Sequence, residues 1–440
     1  MFRQTLFRHL SRPLPRLLST QPSAAFAPAA PTSRFAGVPQ GPEDAILGVT
    51  VAFNADPNPN KINLGVGAYR DDVGLPFVLS PVREAERRIV HAQHHMEYLP
   101  VAGSRTFVDK AIRLAYGEHN HHVKTGQVAS MQTLSGTGAC RMAGVLIQRF
   151  LPALDDGPRD ESPLVLLPNP SWANHAAIFR DSGCTVGQYK YYDPATKSLD
   201  FEGCVSSLED APDGSVVLLH ACAHNPTGVD PTPEQWAKLS AVLKEKRHQP
   251  FFDMAYQGFT SGDMEVDAAS VRRFVDDGHR IVLAQSFSKN FGLYGQRVGC
   301  LSVLTDSQEE ALAVDSQLKI IARPMYSNPP IAGVRIVEEV LSDPELERQW
   351  RMEMKGMAER IISMRTMLKG YLEELGSVQN WDHITNQNGM FCFSGISKEQ
   401  VAKLRDEHSV YLTENGRISM AGVTSQNVGY LANAVHKVTM

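Results

Sequence analysis

Short apolar segments alternate with helical patterns through the middle of this 440-residue chain, and this alternation constrains its fold more than any other feature. The segments predict strands buried on both faces, as a parallel sheet requires, at residues 164–167, 216–219, 251–252, 281–284 and 300–304. Between them, Thr232-Pro233-Glu234-Gln235 is a capping box that predicts a helix to about Arg247. We expect an α/β fold, with functional residues in the loops beyond the strands.

A longer helical pattern begins after Asp343-Pro344 and continues to about Leu375. Its apolar residues recur every three or four positions and form one stripe, made of Leu346, Trp350, Met354, Met357, Ile361, Met364, Leu368 and Leu372. A helix of this length usually bridges two domains or is kinked, and Gly356 is the candidate junction. We expect residues 377–440 to form a smaller α/β domain.

Composition excludes several classes of function. A formal net charge of −5 gives no reason to expect nucleic-acid binding, and no apolar run approaches the roughly 18 residues of a membrane-spanning helix. The six cysteines contain no C-x-x-C pair, which indicates free thiols in a reducing compartment. Two histidine groups have the spacing of metal ligands, but neither has a second cluster nearby; we therefore expect no metal at His91, His94, His95, His119, His121 or His122.

The first 42 residues contain no Asp or Glu but carry five arginines. Their apolar residues fall close to one helical face, with serines between them: Phe2, Leu6, Phe7, Leu10 and Leu14. An amphipathic, arginine-rich segment without acids is typical of a mitochondrial transit peptide and not of a secretory signal. We therefore predict a transit peptide over residues 1–34, cleaved near residues 31–35; a disordered tail is the alternative.

Lys289 follows one of the apolar segments and is surrounded by groups that suit a phosphate-bearing cofactor. Ser286 and Ser288 precede it, and Arg297 follows eight residues later. A lysine that forms a Schiff base must be held at the edge of a rigid element, with its pKa lowered by its surroundings. Asp253 ends another apolar segment, and pyridoxal phosphate needs such an acid beneath its ring nitrogen. The combination predicts pyridoxal 5'-phosphate chemistry.

A second phosphate signal is Ser135-Gly136-Thr137-Gly138, which precedes an apolar helix expected at residues 139–150. Glycines let the backbone approach a ligand, hydroxyls donate, and a helix amino terminus presents free N–H groups to an anion. Taken alone, the segment could be a simple helix cap. It is not a dinucleotide fingerprint, because the third glycine is missing.

These segments resemble those of the aspartate aminotransferases, most closely the mitochondrial form, within the class I pyridoxal-phosphate-dependent aminotransferase family. The resemblance runs from about residue 42 to the C-terminus and includes residues 63–70, 134–139, 220–228, 286–297, 323–330 and 416–422, in family order. It implies pyridoxal-phosphate fold type I, with a large domain and a smaller, discontinuous α/β domain. The expected bounds are 35–77 for the arm and part of the small domain, 78–355 for the large domain and 356–440 for the small domain.

The resemblance also implies a role for each residue of the cofactor site. It assigns the cofactor phosphate to Ser135, Gly136, Thr137, Ser286 and Arg297, with Tyr98 reaching in from a second subunit. Asp253 would pair with the ring nitrogen, with His175 behind it. Trp172 would stack on the ring, and Asn225 and Tyr256 would lie at the phenolic oxygen, where two donors favour its anion.

For the substrate, the resemblance implies that Arg417 binds the α-carboxylate and Arg323, from the other subunit, the side-chain carboxylate. Gly67 would leave room for the substrate. The implied reaction converts L-aspartate and 2-oxoglutarate into oxaloacetate and L-glutamate by ping-pong transamination. It proceeds through a Lys289–pyridoxal phosphate imine, in a homodimer with shared active sites in the mitochondrial matrix.

Two other readings of the sequence stay open. An aromatic-preferring or kynurenine-accepting aminotransferase of the same family shares the arginines, so the sequence does not exclude that activity. A non-catalytic protein on this scaffold, for example one that binds lipids at a membrane surface, is the other. The intact set of site residues argues against this second reading, since a silenced site has no need of Lys289, Asp253 and Arg417 together.

Overall fold

The computed structural model describes residues 33–41, 47–151 and 162–440. The chain divides into two units, Met1–Glu43 and Asp44–Met440. In the first unit, the described residues 33–41 are exposed and include a turn at residues 34–37. Almost all of the predicted transit peptide lies outside the described residues. The elements below belong to the second unit.

The elements of the first half of that unit are, in chain order, α1 (Leu47–Ala55), β1 (Ile62–Asn63), α2 (Ser80–His91), α3 (Arg105–Tyr116), α4 (His121–Lys124), β2 (Val128–Leu134), α5 (Ser135–Phe150), β3 (Leu164–Asn169), α6 (Asn174–Asp181), β4 (Thr185–Lys190), β5 (Tyr192–Asp193), β6 (Ser198–Leu199), α7 (Phe201–Glu209), β7 (Val216–His220) and α8 (Pro233–Glu245).

The second half continues with β8 (Gln249–Met254), α9 (Met264–Asp267), α10 (Ala269–Asp276), β9 (Val282–Ser286), β10 (Val298–Leu304), α11 (Gln308–Tyr326), α12 (Ala332–Ser342), α13 (Pro344–Glu374), α14 (His383–Asn386), β11 (Phe391–Phe393), α15 (Lys398–His408), β12 (Val410–Tyr411), β13 (Arg417–Ser419), a 3₁₀ turn (Met420–Gly422) and α16 (Val428–Thr439).

The largest sheet of the described chain has seven strands in the order β2-β10-β9-β8-β7-β3-β4. The neighbours from β9 to β4 pair in parallel. The strand β10 pairs antiparallel with both β2 and β9, so β2 runs in the same direction as the other five. The predicted α/β fold with a mainly parallel sheet is confirmed.

The expectation for residues 300–304 was wrong in one respect. Four of these five residues are buried as predicted and Val303 is partly buried, but they lie in β10, the antiparallel strand of the sheet. Burial on both faces produces the same apolar run in either orientation, so the sequence pattern does not distinguish the two. The short connection explains the outcome, because only residues 287–297 separate β9 from β10, and no crossover helix lies between them.

Successive strand residues point to opposite faces of this sheet, and each face has its own apolar core. Leu218, Phe251 and Ala284 pack on one face with side chains of α5 and α11. Val217, Leu219 and Phe252 pack on the other face with side chains of α3, α8 and α10. The two-sided burial expected for the strands is therefore present.

The long helix α13 runs without interruption through Gly356, the candidate junction. All eight residues of its predicted apolar stripe are buried. A proline at its amino end and an aspartate cap, Asp343, whose side chain accepts from two backbone N–H groups, fix its start. The capping box predicted at Thr232 and Gln235 is also confirmed, at the start of α8.

The carboxyl-terminal residues pack with an early segment of the chain. Ile62 and Asn63 in β1 pair in parallel with Val410 and Tyr411 in β12. Two further strands, β11 and β13, pair antiparallel. This pairing is the kind that a sequence-discontinuous small domain requires; its bounds at residues 35–77 and 356–440 stay predictions. In the described ranges, no helix combines the length and hydropathy needed to cross a membrane.

Candidate active site

A cavity opens where the parallel strands of the large sheet end. The residues that follow β2, β3, β7, β8 and β9 meet at this edge, because the carboxyl ends of parallel strands share one side of a sheet. The cavity is lined by Ser135, Gly136, Thr137, Trp172, His220, Asn225, Asp253, Ala255, Tyr256, Ser286, Ser288, Lys289 and Arg297. Residues that are far apart in the sequence, such as Ser135 and Asp253, thus line one cavity.

At one end of the cavity, three serine hydroxyls converge at a helix terminus. Helix α5 begins at Ser135 itself, four residues earlier than predicted, so the Ser-Gly-Thr-Gly segment forms its first turn. The hydroxyl of Ser135 lies 3.0 Å from that of Ser286 and 2.8 Å from that of Ser288. A guanidinium N–H of Arg297 donates to the Ser288 hydroxyl at 3.3 Å. These donors, with the free N–H groups of the first helical turn, suit a phosphate group.

The backbone around this cradle is tightly fitted. Ser135 has a φ of 61°, which is uncommon for a residue other than glycine. Gly299, in β10, lies directly against it, and a Cβ at this glycine would sit 2.4 Å from the carbonyl carbon of Ser135. Only glycine therefore allows the strand to approach the start of α5.

Asp253 supplies the acid at another part of the cavity wall. Its carboxylate oxygen Oδ2 lies 3.0 Å from Nε2 of His175, whose Nδ1 lies 2.8 Å from the Ser171 hydroxyl. Burial alone would raise the pKa of the Asp253 carboxyl, but the hydrogen bond to His175 and the nearby His175, His220 and Lys289 outweigh it and lower the pKa. The site therefore keeps a buried carboxylate in its charged form, which is suited to a cationic ring nitrogen.

Lys289 reaches into the same cavity from the loop that follows β9. Its amino group lies 5.1 Å from the centre of the Tyr256 ring. Burial lowers the pKa of this lysine to about 8, although Asp253 opposes the shift; Arg297 and Arg417 add to it. A large fraction of the amine is therefore neutral near pH 8 and able to act as a nucleophile or a base.

A hydrogen-bonded chain joins Tyr256, Asn225 and Arg417 beside this lysine. The side-chain amide of Asn225 donates to the Tyr256 hydroxyl at 3.2 Å, and Arg417 donates to the Asn225 side-chain oxygen at 3.2 Å. Arg417 also donates to the backbone carbonyl of Gly65 at 2.8 Å, and its guanidinium lies 4.1 Å from the centre of the Phe391 ring. Burial raises the pKa of Tyr256, so its hydroxyl remains protonated.

Arg417 is 5 % exposed, and no carboxylate pairs with it among the described residues. Its Nε has no hydrogen-bond partner there either. A buried guanidinium without an anion is costly unless a ligand provides one. Gly67 also lies against Phe391, since a Cβ at position 67 would be 2.6 Å from the ring atom Cζ.

Four predicted site residues do not line the cavity: Gly67 and Arg417, which contact Phe391 near it, and Tyr98 and Arg323, which are exposed. The side chain of Tyr98 is 88 % exposed. Arg323 is also exposed, in the last turn of α11, where it donates to the Ser327 hydroxyl at 2.6 Å. Both had been assigned to the active site of a second subunit, so their absence from this cavity leaves that assignment a prediction.

The sequence predicted no role for His220 and left Ser288 out of the set assigned to the phosphate, although both residues line the cavity. His220 is the last residue of β7, and its Nδ1 accepts the backbone N–H of Asn225 at 3.1 Å. Burial lowers the pKa of His220 to about 3, so the ring is neutral. Its position at a strand end and, for Ser288, the adjacency to Lys289 were the signals that could have identified them.

The donor set fits pyridoxal phosphate. Hydroxyls and a guanidinium at the start of α5 match a phosphate, the charged Asp253 matches a protonated pyridine nitrogen, and the amine of Lys289 matches an aldehyde. Trp172 lines the same cavity and presents an aromatic surface for a planar ring. Arg417, which is hydrogen-bonded to Asn225, matches a substrate carboxylate.

Comparison with known proteins identifies the family. The model of the family described as aminotransferase class I and II matches residues 59–435. The chain is 53 % identical over 408 residues to the mitochondrial aspartate aminotransferase of Dictyostelium discoideum. The aligned residues cover 93 % of this chain and 94 % of that protein.

Solved structures have the same fold. The aspartate aminotransferase from Saccharomyces cerevisiae cytoplasm superposes with a TM-score of 0.88 at 41 % identity, covering 92 % of this chain and 98 % of the yeast chain. The aromatic-amino-acid aminotransferase from Burkholderia pseudomallei, covalently bound to pyridoxal phosphate, gives a TM-score of 0.89 at 40 % identity, covering 93 % of this chain and all of that chain. This chain has pyridoxal-phosphate fold type I and belongs to the class I and II aminotransferase family.

Proposed function

We propose that this chain is a pyridoxal-phosphate-dependent aspartate aminotransferase, which converts L-aspartate and 2-oxoglutarate into oxaloacetate and L-glutamate by a ping-pong mechanism. The observation that carries the proposal is one cavity that combines Lys289, Asp253 and a hydroxyl–guanidinium cradle. The relatives named aspartate aminotransferase, at 53 % and 41 % identity over nearly the whole chain, support the choice of substrate.

Pyridoxal phosphate supplies an electron sink for negative charge that develops at the substrate's α-carbon. Ser135, Gly136, Thr137, Ser286 and Arg297 hold its phosphate, with Ser288 as an additional donor in the same cradle. The positive end of helix α5 favours the phosphate charge.

Asp253 holds the ring nitrogen in its protonated form, because its carboxylate remains charged in a buried site. His175 positions this carboxylate through a 3.0 Å hydrogen bond. Trp172 would stack on the ring, while Asn225 and Tyr256 would donate to the phenolic oxygen. Tyr256 is suited to donating, since burial keeps its hydroxyl protonated.

Lys289 is the general base and acid of the reaction. With the cofactor bound, its neutral amine would take the proton from the substrate's α-carbon and hold it at Nζ for the later protonation step. A pKa of about 8 places the amine near the optimum for proton transfer at the pH of a mitochondrial matrix.

The arginines bind the two ends of a dicarboxylic substrate. Arg417 meets the α-carboxylate with its planar fork, and the hydrogen bond to Asn225 fixes the orientation of that fork. Arg323, contributed by the second subunit of a homodimer, meets the side-chain carboxylate, and Tyr98 of that subunit reaches the phosphate. The exposure of both residues in one chain supports this arrangement. Gly67 leaves space for the substrate.

The location of the enzyme is proposed to be the mitochondrial matrix, with residues 1–34 as the transit peptide. The relative from Dictyostelium discoideum is named as mitochondrial, and the first 42 residues of this chain are rich in arginine and free of acids. Fusion of residues 1–42 to a fluorescent protein tests the import signal. Replacing the five arginines of this segment by glutamine is the matched control.

The test of the function is spectroscopic and kinetic. The purified chain is loaded with pyridoxal phosphate, and the absorbance band of the bound cofactor is followed as aspartate and then 2-oxoglutarate are added. A transaminase shifts the band with aspartate and restores it with 2-oxoglutarate, without added enzyme. A band that aspartate does not move would contradict the proposal and favour a non-catalytic, lipid-binding role.

A second candidate is an aminotransferase that prefers aromatic amino acids or accepts kynurenine. The fold match to an aromatic-amino-acid aminotransferase at 40 % identity supports this second candidate. The values of kcat/KM for aspartate, phenylalanine and kynurenine separate the two, because each candidate predicts a different order of preference.

A further inference from the structure

Three side chains that can ligate a metal ion converge behind the wall of the cavity. The Sγ of Cys140, a ring nitrogen of His175 and a carboxylate oxygen of Asp253 all lie within 4.8 Å of one another. Cys140 and His175 are completely buried, and Asp253 is 9 % exposed. In the described ranges of the chain, this is the one group of three such ligands with this spacing.

We propose that the cofactor-free chain binds a borderline or soft divalent cation, of the class of Zn²⁺ and Cd²⁺, through Cys140, His175 and Asp253. Thiolate and imidazole select such ions over Mg²⁺ or Ca²⁺, which prefer oxygen ligands. This inference goes beyond the aminotransferase reaction, since the site uses Cys140, a residue that the reaction does not need.

The geometry requires only small adjustments. Bonds of about 2.0–2.3 Å from a tetrahedral ion place ligand atoms roughly 3.3–3.7 Å apart. His175 Nε2 and Asp253 Oδ2 are already 3.0 Å apart, so the ion replaces the proton that they now share. The sulfur, at most 4.8 Å from the other ligand atoms, moves toward them by up to about 1.5 Å.

The surroundings of His175 suit a ligand histidine. Its Nδ1 lies 2.8 Å from the Ser171 hydroxyl, and a metal-bound histidine usually donates its second N–H to such a partner, which fixes ring orientation and tautomer. His220 is excluded as a fourth ligand, because its Nδ1 accepts the Asn225 N–H and its proton therefore sits on Nε2. The fourth position is left to water on the cavity side, where Asp253 lines the wall.

Charge is balanced in the bound state. Cys140 loses its thiol proton to solvent, the proton shared by His175 Nε2 and Asp253 moves to His175 Nδ1, and thiolate and carboxylate together neutralise the dication. The ion binds the same Asp253 carboxylate that would pair with the cofactor's ring nitrogen. Metal and cofactor therefore compete for the chain.

The test is a titration of the purified full-length chain, stripped of cofactor, with Cd²⁺. Formation of a cadmium–thiolate bond gives a charge-transfer absorbance in the ultraviolet, a signal that does not depend on enzyme activity. We expect a band that saturates at one ion per chain, is abolished by Cys140→Ala and is retained by Cys204→Ala. Cys204 is a matched control, since it is also a buried helical cysteine but lies in α7. No band in the wild type, or an equal band in Cys140→Ala, would overturn the proposal.

A second measurement uses the wild type alone and therefore does not depend on the folding of a variant. The cofactor-loaded chain should give no cadmium band, because its Asp253 is engaged. Conversely, Zn²⁺ at ten times its dissociation constant should weaken the apparent cofactor affinity of the stripped chain by about tenfold. A chelator should reverse this effect, and Cys140→Ala should remove it. Equal cadmium binding in the loaded and stripped chains would contradict competition at Asp253.

Discussion

The guanidinium of Arg417 donates a hydrogen bond to the side-chain oxygen of Asn225, with 3.2 Å between the two atoms. Asn225 at the same time donates to the Tyr256 hydroxyl through its amide nitrogen. The residue proposed to bind the substrate is thus connected directly to residues proposed to bind the cofactor. A substrate carboxylate that binds Arg417 is thereby placed next to the cofactor ring.

Arg417→Lys should lower kcat/KM for every amino acid, because all substrates carry an α-carboxylate. Lysine keeps the charge but cannot provide two parallel donors, nor retain both contacts to Asn225 and Gly65. Removing one partner of a buried ion pair costs about 3–5 kcal/mol, and we expect a loss near the lower end of this range. Rates on aspartate and phenylalanine measure it. A loss confined to aspartate would assign Arg417 to the side-chain carboxylate instead.

Arg323→Ala should discriminate between substrates where Arg417→Lys does not. Aspartate needs a partner for its distal carboxylate and alanine does not, so kcat/KM for aspartate should fall by roughly two to four orders of magnitude. Arg323→Asp should abolish aspartate turnover and permit weak activity on arginine or lysine through reversed charge pairing. Values for aspartate and alanine are measured on the cofactor-loaded variants. An unchanged preference for aspartate would show that Arg323 is structural.

Lys289→Ala should abolish turnover and leave the fold intact. The amine is lost, whereas the hydroxyls of Ser135, Ser286 and Ser288 that form the phosphate cradle remain. The variant should still retain pyridoxal phosphate non-covalently, which dialysis followed by absorbance spectroscopy detects. Near-wild-type steady-state activity in this variant would contradict the role given to Lys289.

A homodimer with shared sites predicts complementation between two inactive variants. In a hybrid of Lys289→Ala and Arg323→Ala subunits, one site has a wild-type Lys289 together with the wild-type Arg323 of the other chain. Random exchange of equal amounts should therefore restore up to about a quarter of wild-type activity on aspartate. Subunit exchange is verified independently by mass spectrometry of labelled subunits. Exchange without any recovery of activity would rule out the shared site.

The rate of cofactor loading should depend on pH through the amine of Lys289. Burial lowers the pKa of this amine to about 8. The fraction of neutral amine therefore increases about tenfold per pH unit below pH 8 and levels off above it. Loading is followed by the absorbance of the covalently bound cofactor. A free lysine derivative, with a pKa of about 10.4, is the reference under the same conditions. A loading rate that rises in parallel with the reference to pH 10 would show that the site does not lower the pKa.

The sequence by itself determined the elements whose signals are local. Continuous apolar runs identified β3, β7, β8, β9 and β10. The capping box at Thr232 and the apolar stripe of α13 are also local signals, because side chains three or four residues apart meet within one helix. The motifs around Lys289 and Asp253 predicted the cofactor, since their residue types match its functional groups.

Two strands of the large sheet carry no such signal. In β2, Ser130, Gln132 and Thr133 interrupt the apolar run although all three are buried. The buried Gln132 is satisfied by the backbone carbonyl of Pro330, a partner 198 residues away. The strand β4 lies at the edge of the sheet and is only partly buried. Its polar and apolar residues therefore follow no regular alternation.

Only the tertiary structure decided the order of the strands, the antiparallel direction of β10 and the contacts between distant residues. The pairs Arg417–Asn225 and His175–Asp253 are separated by 192 and 78 residues, and Cys140 joins the second pair from helix α5. Hydrophobic periodicity records which face of an element is buried, not which element covers it. Pairings between distant segments depend on how all the buried faces pack together, and that information is spread over the whole chain.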